Sequence, residues 1–151
     1  MFIFKKILIV GAALLLTTAV NFSIANESSS SSVPATEGSL KLVMQGLLAN
    51  TQQLTSAILT EDFTKIEDIA KNIAEHPKAS METRMKLMKA MGTDMLKFKA
   101  NDNVVHDAAI NMIKNAQRKN LTLIGDDFKT MIGGCVNCHA DFKAKVSVIL
   151  K

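Results

Sequence analysis

From Ser39 to the end of the chain, apolar residues recur every three or four positions, which is the period of an α-helix with one buried face. Leu40, Met44, Leu47, Thr51, Leu54 and Ile58 follow one another at spacings of 4, 3, 4, 3 and 4, and Ser39 stands ahead of them as an N-cap. Asp62 or Thr64 caps a second helix whose buried face is Phe63, Ile66, Ile69, Ala70 and Ile73, with Pro77 just past its end. Ser80 caps a third stretch, Met81 to about Lys99, which Asn101-Asp102-Asn103 is expected to interrupt. A fourth helix carries Val105, Ala109, Met112 and Ala116 at 4-3-4 spacing. Asn120 caps the last helix, whose seam runs through Ile124, Phe128, Met131, Cys135, Cys138, Phe142 and then Val146 or Ile149. No strand-like alternation of useful length and no internal repeat interrupts this pattern, so the fold class is all-α.

The residues ahead of Ser39 read differently. Lys5 and Lys6 precede an apolar run, Ile7 to Val20, of 14 residues, too short to span a bilayer comfortably. Ser23-Ile24-Ala25 is a small-x-small cleavage site. Residues 1–25 are therefore expected to be a signal peptide cut after Ala25, leaving no membrane segment in the mature chain; an uncleaved tether is the alternative. Residues 26–38, NESSSSSVPATEG, form a polar Ser-rich linker with little to bury. The domain proper is residues 39–151.

Charge changes the picture little. Removing residues 1–25 lowers Lys+Arg from 18 to 16 against 14 acids, so the mature net charge is +2 and gives no case for nucleic-acid binding. The 126 mature residues suffice for one domain with one core.

Chemistry enters at Cys135-Val136-Asn137-Cys138-His139, a C-x-x-C-H pattern. The two thiols at i and i+3 can add across the two vinyl groups of one haem, and the imidazole at i+4 shares their helix face and can ligate the iron as the proximal ligand. A thioredoxin-like redox pair would need a preceding strand and a βαβ setting, and a zinc site would need a second ligand pair; neither is visible. A plain disulfide within one helical turn is geometrically poor. The expectation is one covalently attached haem c, with both cysteines on the core seam and the haem inside the bundle. Gly133 and Gly134 lower helix propensity just before Cys135 but let the haem or a neighbouring helix come close.

A single C-x-x-C-H near the C-terminus, on the last helix of an exported helical chain, resembles the class II c-type cytochromes, the cytochrome c′ family. The resemblance covers about residues 39–147 and is strongest in FKTMIGGCVNCHADFK, Phe128 to Lys143. It implies an antiparallel four-helix bundle, here with an extra Met-rich helical segment between the second and last-but-one bundle helices. It implies haem attachment outside the cytoplasm, hence a periplasmic location. It makes Cys135 and Cys138 the thioether positions, His139 the proximal ligand and Lys143 a basic neighbour of the imidazole. Leu40-x-x-x-Met44 looks like the segment facing the sixth side of the iron, although many members carry arginine where this chain has Leu40. Family members often dimerise through their first two helices, so a homodimer is possible.

Met44 decides the mechanism expected. His/Met ligation gives a low-spin haem of raised potential suited to electron transfer to redox partners that the sequence does not name. Without Met44 the iron is five-coordinate, and binding of NO or CO becomes the function; as an ordinary seam methionine, Met44 would simply pack in the core. No acid pair, Ser/His/Asp set or nucleotide loop points to catalysis. His76, at a helix end, and His106, beside the seam, are weaker ligand candidates. Met81, Met85, Met88, Met91 and Met95 crowd the third stretch, with Met81, Met85, Met88 and Met95 expected on one face. They suit either a flexible apolar face packed on the bundle or a Cu(I) site, which gives a periplasmic copper-binding protein as a third function. Arg84, Lys86, Lys89, Lys97 and Lys99 make the same segment basic, a docking face for an acidic partner or simply a solvated one.

Overall fold

The structure, a computed structural model, describes residues 38–149; the expected signal peptide and all but the last residue of the expected linker lie outside the described residues. Five α-helices follow in order: α1 (Leu40–Leu59), α2 (Phe63–Ala74), α3 (Met81–Met91), α4 (Met95–Gln117) and α5 (Leu121–Ile149), with one 3-10 turn, Gly92–Asp94, between α3 and α4. No strand occurs among the described residues. The helix starts are where short polar side chains replace missing backbone acceptors. Ser39 Oγ accepts from Leu42 N at 3.3 Å, Asp62 Oδ1 from Lys65 N at 3.1 Å, Ser80 Oγ from Thr83 N at 3.2 Å and Asn120 Oδ1 from Leu123 N at 3.1 Å.

Two joints set the antiparallel topology, and they share one geometry. At the end of α1, Glu61 takes a left-handed backbone (φ 54°), and the amides of Glu61 and Asp62 bond back to Ile58 O and Ala57 O at 3.1 and 3.0 Å. At the end of α4, Lys119 does the same (φ 53°), with Lys119 N to Ala116 O and Asn120 N to Asn115 O both at 2.9 Å. This is the Schellman closure, which reverses the chain at once. In both joints the residue after the left-handed one is already the N-cap of the next helix.

α4 packs chiefly against α5 and α2, α2 packs against α1, and α1 closes only lightly on α5. These four form the bundle. Its core is Leu54 and Ala57 of α1, Ile66, Ile69, Ala70, Ile73 and Ala74 of α2, Ala108, Ala109, Met112 and Ala116 of α4, and Ile124 and Met131 of α5. α3 stands outside this core, on α5 and the start of α4.

Two sequence expectations are corrected. Asn101-Asp102-Asn103 does not interrupt anything: α4 runs through it, and the break lies at Gly92, where φ is +52°. Only glycine takes that conformation cheaply, whereas mid-helix Asn and Asp cost a few tenths of a kcal/mol each, which packing of α4 offsets. The buried stripe of α1 is also turned from the expected one. Val43 is buried, while Met44 is 38% exposed. The expected faces of α2 and α5 stand, with Phe63, Phe128, Cys135, Cys138 and Val146 half-buried at their margins; the side chain of Ile149 lies outside the described residues.

Candidate functional site

α5 is long enough, 29 residues, to run past the bundle core, and its second half carries the cysteines. Antiparallel packing brings the start of α1 and the start of α4 to this same end. A second apolar cluster forms there: Leu87, Met91 and Phe142 are buried, and Leu40, Met95, Phe98, Cys138 and Val146 pack around them. Phe98 and Phe142 meet edge to face with ring centroids 5.5 Å apart. Two ion pairs strap α5 to the first turn of α4 and the 3-10 turn before it, Lys97–Asp141 and Lys145–Asp94, both at 3.0 Å.

Cys135 and Cys138 are free thiols, half-buried, one helical turn apart. Burial pushes both thiols above the ordinary range; at Cys138 the carboxylates of Asp102 and Asp141 and the neighbouring Cys135 add to the effect, and at Cys135 a backbone hydrogen bond opposes it. His139 is exposed beside them. Gly134 explains how α5 reaches this position: a Cβ there would lie 2.9 Å from Val105 Cγ2, 3.1 Å from Val104 Cγ1 and 3.3 Å from Asn101 O. Its missing side chain therefore admits α4. Gly133 has nothing within 4 Å of its Cβ position, so that side of the helix is open.

The donor set fits a haem. Two thiols and an imidazole lie at i, i+3 and i+4 of a regular helix, one thiol backed by an apolar cluster able to cover a macrocycle. Across from Gly134 on α4, the amide Nδ2 of Asn101 is buried and finds no partner in the protein, an unmet donor of the kind a bound polar group satisfies. A groove of about 290 Å³ runs along α1 between Leu42, Val43, Leu47, Asn50, His76 and Pro77, with no cysteine in its wall. Cys138 packs on one side against the cluster of Leu87, Met91 and Phe142 and is half-exposed on the other.

The other sequence candidates are placed as follows. Met44 lies one turn beyond Leu40, which touches the Cys138 cluster; Met44 itself is part-exposed. His76 is half-buried at the same end of the bundle, its Nδ1 3.1 Å from Pro77 O and its Nε2 3.9 Å from Asp102 Oδ1. His106 is exposed, 3.9 Å from the adjacent Asp107. Lys143 is exposed one turn after His139. Met81, Met85 and Met88 are exposed, Met91 is buried, and Met95 belongs to the start of α4 beyond the break, so it does not share their face. Sequence reasoning missed Leu87 and Phe98 as site-building residues; the glycine after Met91, which ends α3 and folds it back on α5, was the available signal.

No curated protein and no solved structure matches the chain. The family model described as Cytochrome C' matches residues 36–143, from just before α1 through the C-x-x-C-H to Lys143. With that match, the four-helix build and the thiol pair at its apolar end, the chain belongs to the cytochrome c′ family and is a c-type haem protein.

Proposed function

We propose that this chain is an exported monohaem c-type cytochrome of the periplasm that transfers electrons, its haem tied to Cys135 and Cys138 and held axially by His139 and Met44. The observation that carries the reading is the packing of Leu40 in one cluster with Cys138. It brings the first turn of α1 to the cysteines, and Met44 is the thioether donor on the next turn. α1 touches α5 only lightly along that seam.

When bound, the haem supplies a one-electron iron couple. The chain's own residues determine how that couple is used. Cys135 and Cys138 would hold the macrocycle against α5, and His139 would offer a ring nitrogen one residue on. The apolar cluster of Leu87, Met91, Phe98 and Phe142 beside Cys138 would keep water from one side of it, which would disfavour the charged ferric state. A thioether from Met44 would fill the sixth position and close the iron to small ligands.

The part-exposure of Met44 favours one competing reading, a five-coordinate protein that binds NO or CO. The spectrum of the purified haem protein separates the two. His/Met ligation gives a low-spin ferric form with a weak sulfur-to-iron charge-transfer band in the near infrared and slow CO binding to the ferrous form. Met44→Ala then yields a high-spin form, fast CO binding and a lower reduction potential. A wild-type protein already high-spin and quick to bind CO would overturn the electron-carrier reading and establish the gas-binding one.

A further inference from the structure

The chain has 9 methionines, and five of them fall within residues 81–95. The structure sorts these five into two groups. Leu87 and Met91, with Met95, form the surface that α3 and the start of α4 press onto Phe142 and Cys138. Met81, Met85 and Met88 face away from it and are 64%, 55% and 46% exposed. They therefore contribute no core packing, although a solvated helix face is ordinarily built from Lys, Glu and other polar residues. Their spacing, i, i+4 and i+7 on a helix of 11 residues, aligns the three side chains along one face. Neighbouring Cβ atoms at these spacings are about 5–6 Å apart. Each thioether sits on three rotatable bonds, so all three sulfurs can converge on one point above the helix.

We propose that Met81, Met85 and Met88 form a binding site for a soft monovalent cation, Cu(I) or its analogue Ag(I), separate from the haem site and independent of how the haem iron is ligated. Thioethers are neutral, polarizable donors that select Cu(I) over oxygen-seeking cations. The surroundings sharpen that choice. Glu82, the carboxylate on the same turn, is engaged by Lys86 at 2.7 Å, and Arg84 and Lys89 flank the face with positive charge. The one carboxylate nearby, Glu82, is already paired through Oε1 with Lys86, and the flanking positive charge opposes a divalent cation about twice as strongly as a monovalent one. The Met81 sulfur already presents a lone pair outward, where it accepts from Arg84 Nη2 at 3.4 Å; cation binding releases that contact. Among the described residues no group of His, Cys, Asp and Glu is arranged to hold a metal, so the thioethers have no competing site of that kind.

The test uses the haem-loaded protein, in which the two cysteine sulfurs are tied up as thioethers. Ag(I) is titrated into the ferric protein, where neither partner changes oxidation state, and Cu(I) kept reduced by ascorbate is titrated against a Cu(I) chelator in protein whose haem has already been reduced to the ferrous form. The expected result is saturable binding of about one cation per chain, shifts of the Met81, Met85 and Met88 methyl resonances but not those of buried Met112 and Met131, and an unchanged haem spectrum. Met85→Leu/Met88→Leu should abolish the binding while leaving unfolding and the haem spectrum as in wild type, since the swap conserves volume at exposed positions. No binding, or binding that survives the double substitution, would overturn the proposal. So would binding that perturbs the haem spectrum instead of the three methyl groups, since that places the cation at Met44. None of these outcomes depends on the spin state that decides the haem reading.

Discussion

The two apolar clusters of this protein are built on different terms. The bundle core is closed on itself: Leu54, Ile66, Ala70, Ala109, Met112 and Ile124 have no accessible surface, and their partners come from all four bundle helices. The cluster at the cysteine end has three buried members, ringed by Leu40, Met95, Phe98, Cys138 and Val146, all only partly covered. One is chiefly Ala and Ile, with Leu54, Met112 and Met131 sealed among them; the other gathers Leu, Met, Phe and Val around a thiol. On this difference the closed core is expected to hold the four helices together by itself, while the partly covered cluster leaves margins that a group attached to Cys138 could occupy.

Side-chain truncation should show the largest contrast. Ile66→Ala, at a site with no exposed surface, should cost ~3–5 kcal/mol with or without haem, because the closely packed core around it cannot collapse fully into the gap. Leu87→Ala in the looser cluster should cost only about 2 kcal/mol in the haem-free chain. The comparison requires urea unfolding of both variants in both forms. Equal losses in the haem-free chain would mean that the cysteine end is as rigid as the core.

The adjacent glycines give a finer contrast. Gly134→Ala forces a methyl to within 2.9 Å of the stiff side chain of Val105 and 3.3 Å of a backbone oxygen. Overpacking there should cost about 1–3 kcal/mol, more than the helix-propensity gain of roughly 0.5–1 kcal/mol. Gly133→Ala meets nothing within 4 Å and should stabilise the haem-free chain by roughly 0.5–1 kcal/mol. Thermal melts of the two variants should therefore move in opposite directions, and a shift in the same direction would break the assignment of Gly134 to helix contact.

The bundle was largely legible in the sequence because its information is local. The seams of α2 and α5 and the caps Ser39, Asp62, Ser80 and Asn120 each lie within a few residues of what they control. The C-x-x-C-H was legible for the same reason. What the sequence hid is tertiary. The stripe of α1 is one position away from where periodicity put it, because Leu40, Val43, Leu47 and Leu54 fit the helical period as well as Leu40, Met44 and Leu47 do, and packing chose between them. The break in the third stretch was sought at three polar residues and found at Gly92, where a left-handed backbone outweighs propensity. The second cluster joins residues some fifty positions apart, Leu87 to Phe142, and no periodicity reports that.

Ser80→Ala should have a smaller effect, and one confined to the cysteine end. It removes the cap of α3 but leaves the Ser80 N to Gly38 O bond of 2.8 Å that anchors α3 to the approach of α1. The cost should be about 1 kcal/mol. Hydrogen exchange should speed up in α3 and leave α2 and the first half of α5 unchanged.

The smallest effect concerns the thiols themselves. In the haem-free chain both cysteines are held protonated beyond the range of an exposed thiol, mainly by burial, and at Cys138 also by Asp102, Cys135 and Asp141. An acid whose folded pKa is raised keeps its proton longer in the folded state than in the unfolded one. Its contribution is therefore constant below the unfolded thiol value, near about 8.5, and declines as pH rises from there towards the folded value, because the unfolded chain loses its protons first. Stability of the haem-free protein should fall across that alkaline window, and the fall should disappear in Cys135→Ala/Cys138→Ala. Site-resolved alkylation followed by mass spectrometry adds the finer test. Both thiols should react with midpoints above that of a free cysteine. Asp102→Asn should lower the midpoint of Cys138 and leave that of Cys135 in place, since only Cys138 feels that carboxylate. An equal shift at both sites would mean that the substitution loosens the packing of α4 on α5 as a whole, and that the electrostatic distinction between the two thiols is wrong.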